Sequence, residues 1–388
     1  MKSNPEYLVE TQPVRTPKND MTFSSIQNKS NHTFRVAIPE WSPGDGIARM
    51  IEYELYRLGH EPVVFPHAST LPEDIDVLLT FAPYSKVMRI WEQAANRESS
   101  QRPVVIHWNT EGLPDLRIPF PVIRKIAQLR SKLGRLSYSE SAFDRFVYKL
   151  PLLTLADREL MRFRHFGDYE FAHRKGWLHL LFDSSQVYCD IRNQNGLPTE
   201  YTPWGSSSIY YQDLGLERDI DVLWMGARGS IRRNRILNFV TRELIDHGVK
   251  IHIADNEMNP FIYNDDRTEY LNRSKITLNI TRTWYDDNFS RFSMAAPNRS
   301  MIVSEPMLPH CIEFKENIHY ISAEIKELPK TILYYLEHEN KREKIVENAY
   351  QLLTTQLQFA NSLKKILSAA ARYRNTRELT IPAQIAFH

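Results

Sequence analysis

The arginines of one short segment have the spacing that most suggests chemistry. ARGSIRRNR follows the apolar run DIDVLWMG, so Arg228, Arg232 and Arg233 stand just past Gly226. A strand that ends in glycine lets backbone approach a ligand closely. The first N–H groups of a following helix then face an anion. Guanidinium forks match phosphate oxygens. The segment reads as a diphosphate cradle or, more plainly, as a solvated basic helix start. It is not a P-loop, because GxxxxGK[ST] is absent. Arg282 and Arg291 flank a later strand-to-helix junction. There they could neutralise a leaving group as negative charge builds on it, or pair with Asp286 or Asp287. Glu305 ends a further apolar run and could accept hydrogen bonds from sugar hydroxyls.

Carboxylates in the first half offer a different chemistry. Asp45 lies in the SPGDG turn after the first apolar run, and Glu111 lies in HWNTEG with His107 beside it. Either acid could take a proton from an acceptor hydroxyl, with His107 lining the acceptor site. The simpler reading is a loop acid that caps a helix or faces water. The pairs at 265–266 and 286–287 look like solvated turns, and no DxD-like signature ends a strand, so no metal site is expected. His310 and Cys311 could line a crevice, although a packed or surface role is commoner. Residues 117–175 hold 13 Lys/Arg against six Asp/Glu, with aromatics interleaved. Such a face could meet an anionic polymer, a phospholipid surface or nucleic acid. It could equally be a helical pair with an aromatic core and solvated arginines.

These residues are positioned by alternating strands and helices. FRVAIP, PVVF, DVLLTFA and PVVIHW read as strands, and IARMIEYELYRLGH and residues 85–96 as helices. A long helical stretch spans about 121–177, followed by strand-like WLHLLF and a second strand-like segment, SQVYCDI. NGLPTEYTPWGSSS has a linker's composition. The alternation then restarts with DIDVLWMG, VKIHIA, KITLNIT and SMIVSE as strands, and ends in helices from 330 to about 374. Strand–helix alternation implies parallel α/β sheets. The expected organisation is a mobile arm at 1–33, an acceptor-binding Rossmann-like domain at 34–204, a nucleotide-binding one at 205–374 with C-terminal helices, and a tail at 375–388.

Composition narrows the class. The chain has 388 residues, 49 Lys+Arg against 47 Asp+Glu, and 42% hydrophobic residues. That excludes whole-chain disorder and a global polycation. Two cysteines exclude a disulfide framework and suit a reducing cytoplasm. No apolar run approaches a membrane span, and no signal core is seen, so a cytoplasmic protein is expected.

The second half resembles the sugar-transferase domain of the CgeB-type spore-maturation family and, more distantly, the retaining glycosyl transferases group 1. VLWMGARGSIRRNR resembles the family's strand, glycine and basic loop. YLNRSKITLNITR resembles its short helix and strand, and RFSMAAPNRSMIVSE its Arg-x-Phe-Glu-Ala-x-Ala-x-Gly passage. In the first half, SPGDGIARMIEYELYRLGHEPVVF and LPTEYTPWGS are more loosely similar. The resemblance implies the GT-B fold: two Rossmann-like domains facing a cleft, with C-terminal helices crossing back. It implies a metal-independent, retaining glycosyltransferase with a nucleotide-sugar co-substrate and no other cofactor. Donor-binding residues would be Gly226, Arg228, Arg232, Arg233, Arg282, Arg291 and Glu305. Met294 stands where the family Glu holds the ribose, and Arg299 where the family has Gly. Those departures keep two alternatives open: a non-catalytic GT-B module binding a partner or polymer, and a DNA-base glycosyltransferase.

Overall fold

The computed structural model describes residues 33–41, 46–81, 87–137, 139, 141–286, 289–308 and 311–385. The arm expected over 1–33 falls almost wholly outside them, as do Asp45 and His310.

The first half builds a six-stranded sheet. Its strands are β1 (Arg35–Glu40), β2 (Glu61–Pro66), β3 (Val77–Phe81), β4 (Val104–Asn109), β5 (Leu180–Asp183) and β6 (Glu200–Tyr201), in the order β2-β1-β3-β4-β5-β6, all parallel. Helices cover both faces, so β3 and β4 are buried at every position. That is why they read as continuous apolar runs rather than alternating ones. Helix α1 (Ile47–Arg57) and helix α2 (Val87–Ala95) connect the early strands. Between β4 and β5 the chain makes four helices: α3 (Phe120–Leu136), α4 (Ala142–Tyr148), α5 (Pro151–Glu159) and α6 (Met161–Arg174). Helices α3 and α6 pack closely at Gly167, where a Cβ would stand 2.1 Å from the Ala127 carbonyl oxygen. The segment SQVYCDI, expected as a strand, is helix α7 (Gln186–Gln194). Ser185 starts it by accepting a hydrogen bond from the Tyr188 N–H, and this cap outweighs the local alternation.

The second half repeats the plan. β7 (Ile220–Met225), β8 (Ile251–Ala254), β9 (Ser274–Asn279), β10 (Met301–Ser304) and β11 (Ile321–Ser322) form a parallel sheet ordered β11-β10-β9-β7-β8. Helices α8 (Ile231–Ile245), α9 (Asn264–Asn272), α10 (Phe289–Ala295), α11 (Leu328–Glu337) and α12 (Glu339–Gln351) cover it. The chain then returns. Ser206 and Gln358 form a parallel bridge, and α13 (Phe359–Ile385) places Phe359, Leu363, Ile366 and Leu367 in the first half's core. Two Rossmann-like sheets joined by a doubled crossing make the GT-B fold expected from the sequence.

Candidate functional site

The carboxyl ends of both sheets open onto one cavity of about 610 Å³. Ligands of open α/β sheets bind at such edges. From the first half, Phe81, Thr110, Glu111 and Asp183 line it, just at or past β3, β4 and β5. From the second, Met225, Gly226 and Ala254 do so at β7 and β8. Aromatic rings of Tyr188, Trp204, Tyr210, Tyr211, Phe261 and Tyr263 supply much of the remaining wall.

Gly226 has φ 122°, a conformation open to glycine and costly for other residues. A Cβ there would stand 3.0 Å from Arg291 Nη2. The chain turns through 227–229, and Ser230 caps α8 by accepting from the Arg233 N–H at 3.2 Å. The positive end of a 15-residue helix therefore stands beside the strand end.

Arg291 projects from α10 into this junction. Its Nε and Nη2 donate to the Met225 carbonyl at 3.1 and 2.8 Å, and Nη1 donates to Asn279 Oδ1 at 2.9 Å and to the Ile280 carbonyl at 3.3 Å. All these acceptors are neutral. Among the described residues no carboxylate pairs with this guanidinium, although Arg291 is buried. Burial, then the nearby Arg233 and Arg282, pull its pKa down to about 9. Arg233 is similarly buried, and burial followed by Arg282 lowers it to about 10. Its Nη1 donates to the Ala227 carbonyl at 3.0 Å, and its buried Nε has no hydrogen-bond partner among the described residues. Arg282, exposed, lines the cavity as well. Three cations crowd together with no carboxylate hydrogen-bonded to Arg291 or Arg233 among the described residues, although Asp286 lies close enough to raise both, and an orphaned buried donor normally signals a missing partner. An anion would satisfy both conditions.

The other expected donor contacts lie elsewhere. Arg228 does not line the cavity: its Nε pairs with Asp255, and Nη1 donates to Asn234 and Asn238 at 2.6 Å each. Arg232 is locked to Glu305 through both Nη atoms. Glu305 in turn accepts from the Thr281 N–H at 2.7 Å and the Thr281 hydroxyl at 2.9 Å. Buried and consumed by four donors, Glu305 has no room for ribose hydroxyls, and it lies outside the cavity lining. Parallel winding brings the acids that follow β8 and β10 to the strand edge, where they neutralise two of the five arginines.

His107 is also displaced from its expected role in acceptor binding. It is buried in β4, with Nδ1 3.0 Å from Thr80 Oγ1 and Nε2 2.9 Å from Tyr169 Oη. Burial pulls its pKa down to about 3, so it is a neutral core residue. Glu111 does line the cavity. Cys311 is buried and does not line it. Asp286, expected in a solvated turn, is buried in the cavity wall and pairs with Arg162 of α6 at 2.8 Å. This pair ties the second half to the first. Asp286 makes no ion pair with Arg291 among the described residues, yet it still raises Arg291 and Arg233 against the effect of burial.

Met294 lines the cavity, with Arg267 Nη1 3.7 Å from its sulfur. Arg299 adopts φ 55°, the left-handed conformation that the family glycine suits. Its guanidinium is held by Asp213 and Glu347 and lies over the Tyr350 ring. Sequence reasoning missed Arg267, which lines the cavity and donates to the Tyr211 hydroxyl at 3.1 Å. It also missed Arg162. Both lie in helical segments with no local motif.

A glycosyl transferase-like family model matches residues 232–368. No curated protein sequence matches the chain. Among solved structures, Anabaena HepE in complex with UDP and glucose is 10% identical, with a TM-score of 0.53 over 87% of this chain and 100% of that one. The same protein in complex with UDP-glucose gives 11% and 0.53 over the same shares. Sucrose-phosphate synthase from Thermosynechococcus elongatus is 10% identical, with a TM-score of 0.50 over 90% and 100%. S. aureus TarM is matched at 11% identity and a TM-score of 0.47 over 76% of this chain, which spans only 55% of TarM. At these identities the likeness speaks to the fold. The chain has the GT-B fold, and its second half carries a segment similar to glycosyl transferases.

Proposed function

We propose that this chain is a glycosyltransferase that moves a sugar from a nucleotide-sugar donor to an acceptor hydroxyl. The observation that carries the reading is the buried Arg291, held by neutral acceptors in the cavity wall beside Arg233 and Arg282. A donor diphosphate at Gly226 would meet these three cations and the N-terminus of α8. Together they would stabilise the departing nucleoside diphosphate as charge develops on it. The reading therefore routes leaving-group stabilisation through arginine rather than metal, and transfer should persist in a chelator. The family segment over 232–368 and the fold shared with UDP-bound HepE support it.

The acceptor would enter from the first half, against Tyr188, Trp204 and Glu111. Retention of anomeric configuration follows the group 1 resemblance. Asp45 and Glu111 give the opposite outcome two candidate bases, and Asp45→Asn and Glu111→Gln, made separately, test it. A fall in turnover of about 10²–10⁴ in either would mark an inverting enzyme with that acid as base; near-normal turnover in both fits retention. A cytoplasmic setting belongs to this proposal, and two buried, unbridged cysteines suit it.

Met294 and Arg299, which depart from the family pattern, favour one rival, a non-catalytic GT-B module that binds a partner or polymer. A thermal-shift screen against UDP-, GDP-, ADP-, dTDP- and CMP-sugars, followed by assay of nucleoside diphosphate release, decides among the readings. Binding at about 100 Kd should add about 2.7 kcal/mol of stability. Binding with release supports the enzyme, and no binding by any donor, with no release, removes it and favours the rival.

A further inference from the structure

The helices between β4 and β5 expose apolar side chains where a soluble surface would bury or avoid them. Phe143 is 72% exposed, Phe146 65% and Leu152 80%. Helix α4 has no buried residue at all. On α3, Val122, Lys125, Leu129 and Lys132 follow one another at helical spacing and are all exposed, so one stripe alternates apolar and cationic side chains. Helix α3 contains five Lys and Arg and no acidic residue over 17 positions. Lys149 stands exposed between α4 and α5. Among the described residues, Lys125, Lys132 and Lys149 form no ion pair. Asp144, the acid of α4, accepts from the Ser139 hydroxyl at 2.7 Å.

Large exposed apolar patches mark interaction sites rather than ordinary surface. The charge pattern selects the partner. Protein interfaces are depleted of lysine. A helix that lies in a bilayer interface instead buries its aromatic and leucine side chains while lysines reach the headgroup phosphates. We propose that α3, α4 and α5 dock this protein onto an anionic phospholipid bilayer, with Phe143, Phe146 and Leu152 inserted and Lys125, Lys132 and Lys149 on the phosphates. No described helix is long and apolar enough to cross the membrane, so attachment would be peripheral. Helix α6, packed on α3, carries Arg162 to its ion pair with Asp286 of the cavity wall, which puts the docking helices near the cleft.

The test uses the full chain and co-sedimentation with vesicles, either of phosphatidylcholine alone or with about a third phosphatidylglycerol. Binding to the anionic vesicles should be much stronger and should weaken as salt screens the charges. Phe143→Asp with Phe146→Asp should reduce partitioning about ten-fold or more, and Lys125→Glu with Lys132→Glu should reduce it as well. Thermal melting checks that both variants fold, which is expected because α4 buries no side chain. Failure of the wild type to prefer anionic vesicles overturns the proposal. So do folded variants that partition like wild type. Dimers lost in the phenylalanine variant, without vesicle binding, would assign the face to a second copy of the chain. Donor binding is not involved, so either result leaves the catalytic reading to its own assay.

Discussion

Two buried arginines, each on a helix that follows a strand of its own half, are treated differently. Arg192, on α7, sits at the carboxyl end of β5 and is paired with the buried Asp183, which also accepts from Asn109 Nδ2 at 2.6 Å and the Ser185 N–H at 2.7 Å. Arg291, on α10, sits at the carboxyl end of β7 and β9, donates only to carbonyl and amide oxygens, and lies over the Trp224 ring. The first half supplies its own anion. In the second, the proposed function assigns that place to the donor's diphosphate. Burying a cation without a paired carboxylate is costly, and on the proposed reading the donor's diphosphate would offset that cost.

The contrast can be broken in three ways. Arg192→Ala should have the largest effect. It strands Asp183 as a buried, unpaired carboxylate and should cost about 3–5 kcal/mol in urea denaturation. A loss below about 1 kcal/mol would mean the pair is not the closed unit described here. Gly226→Ala comes next. A side chain at φ 122° is strained and would press on Arg291 Nη2, so stability should fall by about 1–3 kcal/mol and nucleoside diphosphate affinity should fall with it. Wild-type affinity in that variant would separate the loop from the anion site. The smallest effect is a pH dependence. Burial lowers Arg291 to about 9 and Arg233 to about 10 in the free protein, and a bound diphosphate would raise both. Binding should therefore take up protons in the alkaline range and weaken as pH rises through about 9 and above. Calorimetry in buffers of different ionisation enthalpy reads that uptake directly, and no uptake there would mean the diphosphate does not contact these arginines.

Much of the fold could be read in the sequence because strand and helix periods are local. The helical SQVYCDI escaped because its cap, Ser185, had to outweigh a short alternating pattern. The site was harder. The position of Arg291 and Gly226 at the cavity was legible from strand and helix ends, which parallel winding brings together. Arg228, Arg232 and Glu305 were misjudged because no local signal shows that Asp255 and Glu305 arrive at the same edge. Arg232 and Arg233 are neighbours in sequence but about 100° apart around α8, so one pairs with Glu305 and the other lines the cavity. His107 carried a usable warning. A histidine inside a continuously apolar strand of a parallel sheet is covered on both faces. The Arg162–Asp286 pair joins residues 124 positions apart and had no signal at all.

The central claim is that Arg291 awaits the donor's diphosphate. Isothermal titration of wild type and Arg291→Ala, each with the nucleoside diphosphate of the bound donor and with the free nucleoside, tests it most directly. Losing a charge-assisted hydrogen bond should cost about 1.5–3 kcal/mol in diphosphate binding, with the nucleoside nearly unchanged. Equal diphosphate affinity in the two proteins would contradict the account.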